Sequence, residues 1–229
     1  MKVALLQHTP EPELTVALAA RLCYSPVDIG ELKQKLGSAD IEAFLDKIMS
    51  LGHQSVLEHA SFTFGIEGIS RVTSHQLVRH RVASYSQQSQ RYVSHKEQFG
   101  AVIPPTIAER PDLLGRFEAQ LQALHQTYGE MVEAGIPAED ARYLLPNATE
   151  TKILVTMNCR ELLHFFAIRC CERAQWEIRA MAVEMLKLVK PVAPTIFRAA
   201  GPGCLNAPCP EGTMTCGRIK EVREKFRTM

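Results

Sequence analysis

A chain of 229 residues, 46% hydrophobic and 22% charged, can build a sizeable core. At this length about 70% of the unfolded surface is buried without help from metals or disulfides. A net charge of +1 argues against a general attraction to nucleic acid or anionic membrane, so any anion has to be held by a local cluster. The apolar run in Met1–His8 is too short for a signal peptide, and no stretch reaches the ~18 apolar residues of a membrane-spanning helix. An odd count of 7 cysteines, with Cys170 and Cys171 adjacent, points to reduced thiols and a cytoplasmic protein.

Val3–Leu6 reads as a short buried strand. Thr15–Cys23 and Asp40–Met49 read as helices, the second with Ile41, Phe44, Leu45 and Ile48 on one face. Ser61–Glu67 alternates apolar and polar side chains, as a half-buried strand does. Ser70 is a candidate N-cap for a helix running to about His80, which would set Gln76, Arg79 and His80 on one face with Arg81 directed away from Arg79. A polar segment without apolar period, Ser84 to His95, follows. Between Asp112 and Ala134, Leu114, Phe117, Leu121, Leu124, Tyr128 and Met131 recur in steps of three and four, a core or helix-partner face. Gly135 and Pro137 end it. Thr151–Thr156 reads as a strand, and Cys159 to about Arg169 and Ala174–Leu188 as helices, the latter burying Ile178, Met181, Met185 and Leu188. Pro191 and Pro194 break the pattern, and Gly201–Gly217 is rich in Gly, Pro and Cys. No repeat or linker divides the chain, so it reads as one domain of mixed α and β.

The polar segment gathers Arg79, His80, Arg81 and Arg91 among Ser84, Ser86, Gln87, Gln88, Ser89 and Gln90, with few acids to neutralise them. Guanidinium forks surrounded by neutral donors suit phosphate. A solvated basic loop and an anion or nucleotide site are about equally supported by these residues alone.

The run Arg79-His80-Arg81, seven further residues and then Ser89 resembles the signature of the flavin-dependent thymidylate synthases. Gly52–His59 is similar to that family's upstream flavin segment, and Ala141–Pro146 to its nucleotide-binding arginine segment. Asn158–His164, Arg169 and Ala174–Ile178 resemble its C-terminal block. The resemblance implies an α+β fold, a single mixed domain with a twisted sheet flanked by helices over residues 1–200, a tail over 201–229, and a homotetramer whose subunits share active sites. It implies a methyltransferase that converts dUMP to dTMP with FAD, using NADPH and methylenetetrahydrofolate as co-substrates. Flavin contacts carried over are Ser55, Arg79, His80, Arg81, Gln87, Asn158, Arg160 and His164. Those to dUMP are Gln76, Arg79, Gln87, Ser89, Arg91, Arg142 and Arg169, with Arg169 promoting ionisation of the uracil ring. His53 matches a residue near flavin and folate. Ser86-Gln87 stands where many members carry Asn-Glu, so the contact of Gln87 cannot involve a carboxylate. The family's reaction uses hydride from flavin in place of a cysteine nucleophile, so no cysteine receives a catalytic role.

Other signals are weaker. Cys204, Cys209 and Cys216 have Cys-x4-Cys-x6-Cys spacing, and a zinc site would need a fourth ligand from elsewhere, so a packed or disordered tail with no metal is preferred. His53, Glu58 and His59 do not form a His-Glu-x-x-His motif, and no Gly-x-Gly-x-x-Gly or Walker sequence occurs. His8, His75, His95 and His125 have no partner pattern. Two rival readings are a nucleic-acid-binding module, opposed by the near-zero charge and few aromatics, and a flavin reductase, opposed by Arg91, Arg142 and Arg169.

Overall fold

Four strands form one antiparallel sheet in the order β1-β2-β4-β3: β1 Lys2–His8, β2 Ser61–Ser70, β3 Ala83–Gln87 and β4 Glu150–Asn158. This computed structural model describes residues 1–36, 38–93 and 99–229, without the side chains of 38–40. The end of the polar segment, His95 included, lies outside the described residues. Register is set by pairs such as Thr9 N–H to Ser61 O at 2.9 Å and Cys159 N–H to Ala60 O at 2.8 Å. In β4 the inward side chains alternate without interruption as Thr151, Ile153, Val155 and Met157. In β2 the inward set Phe62, Phe64, Ile66 slips to Ile69 past Gly68. Gly68 sits at φ 67°, the left-handed conformation of a glycine bulge, and the Met1 backbone lies where a side chain would begin.

The helices are α1 Pro12–Leu22, α2 Ile29–Lys35, α3 Ser38–Ser50, α4 Arg71–Leu77, α5 Pro105–Ala108, α6 Pro111–Glu133, α7 Ala138–Ala141, α8 Cys159–Arg169, α9 Trp176–Val189, α10 Pro194–Phe197 and α11 Ile219–Arg227. Short 3-10 turns cover Ser55–His59, Arg142–Leu144 and Gly212–Met214. Among the described residues, no helix is long and apolar enough to cross a membrane.

The contacts divide the chain into two compact units. The first comprises residues 1–2, 66–79 and 85–154. Its centre is Tyr128 of α6, with Ile66, Ile69 and Leu77 also buried. The second comprises residues 3–65, 80–84 and 155–229, so the tail belongs to it. There Phe197 meets Phe62 edge-on at 5.6 Å and Phe166 at 6.1 Å, among Val16, Leu45, Met181 and Met185. Each such ring contributes roughly 1.5–3 kcal/mol by leaving water.

Several elements depart from the expectation. β1 is an edge strand, not a buried one: Leu6 remains 54% exposed because only one side of β1 has a neighbour. α4 begins as expected, the Ser70 hydroxyl accepting from Thr73 N–H, but stops at Leu77. The Tyr85 hydroxyl donates to the Leu77 carbonyl at 2.9 Å, satisfying a helix-end acceptor. Arg79, His80 and Arg81 therefore follow the helix and do not share a face with Gln76. The opening of the polar segment is strand β3, since Gln88 N–H pairs with Lys152 O in register with β4. On α6 only Tyr128 is buried, while Leu114, Phe117, Leu121 and Leu124 are half-covered and Met131 is exposed. α11 has no counterpart in the sequence reading, for it buries only Val222 and Phe226 in a charged run.

Candidate functional site

In the second unit a cavity of about 620 Å³ opens between the Ser55–His59 turn and α8. Gln54 and Glu58 line one side, Asn158, Arg160, Leu163, His164 and Ala167 the other, with Val82 between the arginine run and β3. The spacing 160–164–167 is one helix stripe, which is why one face of α8 serves the cavity. Arg160 reaches the Glu58 carboxylate, tying α8 to the turn. Asn158 caps α8, its Oδ1 accepting from Glu161 N–H at 2.8 Å.

Below this stripe lies a chain of three polar side chains. His80 is 6% exposed, set between the edges of Phe165 at 4.9 Å and His164 at 5.8 Å. Arg169 Nε donates to His80 Nε2 at 3.0 Å, and His80 Nδ1 meets Glu161 Oε1 at 3.1 Å. An arginine Nε can only donate, so Nε2 carries no proton and Nδ1–H donates to Glu161. The His80–Glu161 contact is thus a hydrogen bond from a neutral ring, not an ion pair. Desolvation first, then Arg169 and His164, hold the imidazole down to about 4. Burial raises the Glu161 carboxyl, and burial lowers the Arg169 guanidinium.

Glu161 escaped the sequence reading. As the third residue of α8 after Asn158 it occupies the position of a capping-box acid, a sufficient local explanation. The carboxylate instead reaches His80, 81 residues away in sequence. Arg160 and His164 share one face of α8, and Arg169 is its last residue, on another face. His80 links the two regions, touching both His164 and Arg169.

Of the residues matched to flavin, Asn158, Arg160 and His164 line the cavity and His80 lies against His164. Ser55 begins the 3-10 turn and is exposed, as is His53 just before it. Arg81 is exposed and lines no part of the cavity. Arg79 and Gln87 belong to the first unit.

In that unit Arg91 and Arg142 converge on Glu139: Arg91 Nε pairs with its carboxylate, and Arg142 Nε donates to its carbonyl at 3.0 Å. Ser89 Oγ accepts from Arg91 N–H at 3.1 Å. Gln87 Nε2 donates to Thr151 Oγ1 at 3.3 Å, and Gln76 to Val72 O at 3.4 Å. Arg71 joins this group, donating to Gln88 O at 2.9 Å with its buried Nε unpaired. Desolvation and the nearby Arg142 both lower its guanidinium. Three neighbouring guanidinium groups with a single carboxylate, that of Glu139, paired to Arg91 form an anion-attracting cluster. Nothing in the sequence near Arg71 distinguished it from a surface residue in the first turn of a helix.

A small-molecule cavity along α8, a guanidinium held by a buried neutral imidazole and, in the other unit, an arginine cluster suited to phosphate are each features of an enzyme acting on an anionic substrate. Residues 4–195 match the family described as thymidylate synthase complementing protein, and the chain belongs to that family. A flavin-dependent thymidylate synthase of Geobacter sulfurreducens is 68% identical over the whole of this chain and 99% of its own. Proteins of the same name from Clostridium tetani and Pyrococcus horikoshii are 49% and 45% identical, covering 99% and 100% of this chain and 97% and 98% of theirs.

Proposed function

We propose that this protein is a flavin-dependent thymidylate synthase that converts dUMP to dTMP. FAD would be its cofactor, NADPH the reductant, methylenetetrahydrofolate the carbon donor, and a homotetramer the working form. The observation that carries this reading is Arg169, fixed through His80 to Glu161 beside the cavity that Asn158, Arg160 and His164 line. The cavity volume lies within the range of small-molecule sites. Its apolar wall of Val82, Leu163 and Ala167 suits a flat aromatic ring, and its polar rim suits the ring's edge. When bound, the flavin supplies hydride.

The residues of the chain position and polarise. Arg169 would hold a uracil carbonyl and stabilise the negative charge that ring ionisation places there. His80, neutral and locked as the Nδ1–H tautomer, aims that guanidinium without competing for the charge. With active sites shared between subunits, Arg91 and Arg142 of the first unit, with Ser89 beside Arg91, would take the phosphate. Buried Cys159 and Cys170, whose thiols burial pushes up to about 12, stay protonated and are poor nucleophiles. The half-covered stripe of α6 supports assembly, since a subunit contact would complete its burial.

Purified protein carrying FAD should form dTMP only when dUMP, methylenetetrahydrofolate and NADPH are all present. Bound flavin and NADPH oxidation without dTMP would make the protein a flavin reductase instead.

A further inference from the structure

Four of the seven cysteines belong to chain segments that meet at the end of α8 in the second unit, and none of them lines the cavity described above. Cys171 follows α8, while Cys204, Cys209 and Cys216 lie in the turn-rich tail. Gly203 N–H donates to Ala167 O at 2.9 Å, laying the Cys204 segment on the last turn of α8. Pro210, next to Cys209, rests against Gly203. Arg223 of α11 donates to the carbonyls of Cys204 at 2.9 Å and Ala207 at 2.8 Å, fixing the loop between the first two tail cysteines. Arg218, two residues beyond Cys216, reaches the carboxylate of Glu172 at 2.7 Å, and Glu172 adjoins Cys171. The Cys204 thiol accordingly lies within electrostatic reach of Cys209, Cys171 and Cys216.

We propose that Cys171, Cys204, Cys209 and Cys216 are the ligands of a structural tetrathiolate site for a soft divalent cation, zinc foremost, which clamps the tail to the end of α8. The fourth ligand that the tail lacks in sequence is supplied by the chain segment on which the tail folds. All four thiols are free of disulfides, Cys204 is buried, and the other three are half-covered, so an ion can enter and then be enclosed. Among the described residues no three of the sulfurs lie within 4.8 Å of one another, so the tail loop has to close before the four thiols can share one ion. A tetrahedral zinc site with bonds of about 2.3 Å needs sulfurs roughly 3.8 Å apart. The loop has room to close: Gly212 and Gly217 are at φ 52° and 74° with open space around them, and Gly217 directly follows Cys216. Binding releases the thiol protons and leaves excess negative charge, which Arg218, Arg223 and Lys225 are placed to offset. The tail cysteines lie beyond residue 195, where the family match ends, and the proposal is independent of the enzymatic reading.

The test uses reduced full-length protein, stripped with a chelator and then given zinc. About one zinc per chain should be retained through gel filtration, measured by elemental analysis. Cobalt(II) in its place should give the thiolate-to-metal charge-transfer band and tetrahedral visible bands. Zinc should protect these four cysteines from alkylation, read by peptide mass spectrometry, and leave Cys23 reactive. Cys209→Ser and Cys216→Ser should each lower zinc retention roughly tenfold or more, while His164→Asn should not. Should a variant misfold, the alkylation arm on the unaltered chain still decides. No stoichiometric uptake, protection of other residues, loss of the zinc in His164→Asn alone, or a non-reducing peptide map joining these cysteines in disulfides would overturn the proposal.

Discussion

At the scale of single residues, the Glu161–His80–Arg169 chain gives two tests. Lysine at 169 keeps charge but loses the planar fork and the Nε–H that engages His80. Arg169→Lys should therefore retain FAD and turn over dUMP at least tenfold more slowly, checked by flavin absorbance and steady-state kinetics. Near-normal kcat in both Arg169→Lys and Arg169→Ala would leave Arg169 a structural residue. The second test concerns pH. His80 protonates near its ordinary 6.5 in the unfolded chain but only at about 4 in the folded one. Between those values the unfolded state binds more protons, so His80's contribution to stability is full above about 6.5 and is lost as pH falls toward 4. Glu161 acts in the opposite sense: burial raises its carboxyl, so its contribution is largest in acid and is lost as pH rises. Glu161→Gln keeps an acceptor for Nδ1–H and removes that second titration. Its urea midpoint should fall monotonically from pH 6.5 to 4, and a flat profile would rule out a depressed His80.

Elements carry the next set of expectations. Asn158 both caps α8 and lines the cavity, so Asn158→Ala should lose about 1 kcal/mol of stability along with flavin affinity. Asn158→Ser restores the cap. If FAD affinity stays low while the thermal midpoint recovers, the amide itself contacts the cofactor; recovery of both would assign it to helix capping alone. The junction of α7 with the 3-10 turn Arg142–Leu144 gathers Arg91 and Arg142 on Glu139. A charge-assisted hydrogen bond is worth about 1.5–3 kcal/mol, so Arg91→Ala and Arg142→Ala should each weaken dUMP binding about tenfold or more by calorimetry. FAD content should change less. Equal loss of both ligands would indicate a folding defect.

For the whole molecule, the long helix α6 is the test of assembly. Its stripe of Leu114, Phe117, Leu121 and Leu124 is half-covered within one chain. If the homotetramer completes that burial, Leu121→Glu should shift sedimentation toward smaller species while the secondary structure survives. An unaltered tetramer would move the subunit contact elsewhere on the chain.

Much of the architecture was legible because it is written in local chemistry. The Ser61–Glu67 alternation, the Ser70 cap and the three-four spacing of α6 each follow from local residue types and periods and need no distant partner. The family signature was legible too, since it sits in the residues themselves. What sequence could not give depends on who lies opposite. β3 looks like a polar loop until β4 supplies its hydrogen bonds, and α4 ends where the Tyr85 hydroxyl takes the carbonyl of Leu77. Glu161 stands out in no sequence pattern and meets His80 only in the fold, and Cys171 comes within electrostatic reach of Cys204 only there. Residue types and periods are properties of a segment. Protonation state, burial and ligand sets are properties of the neighbours that only the tertiary structure brings together.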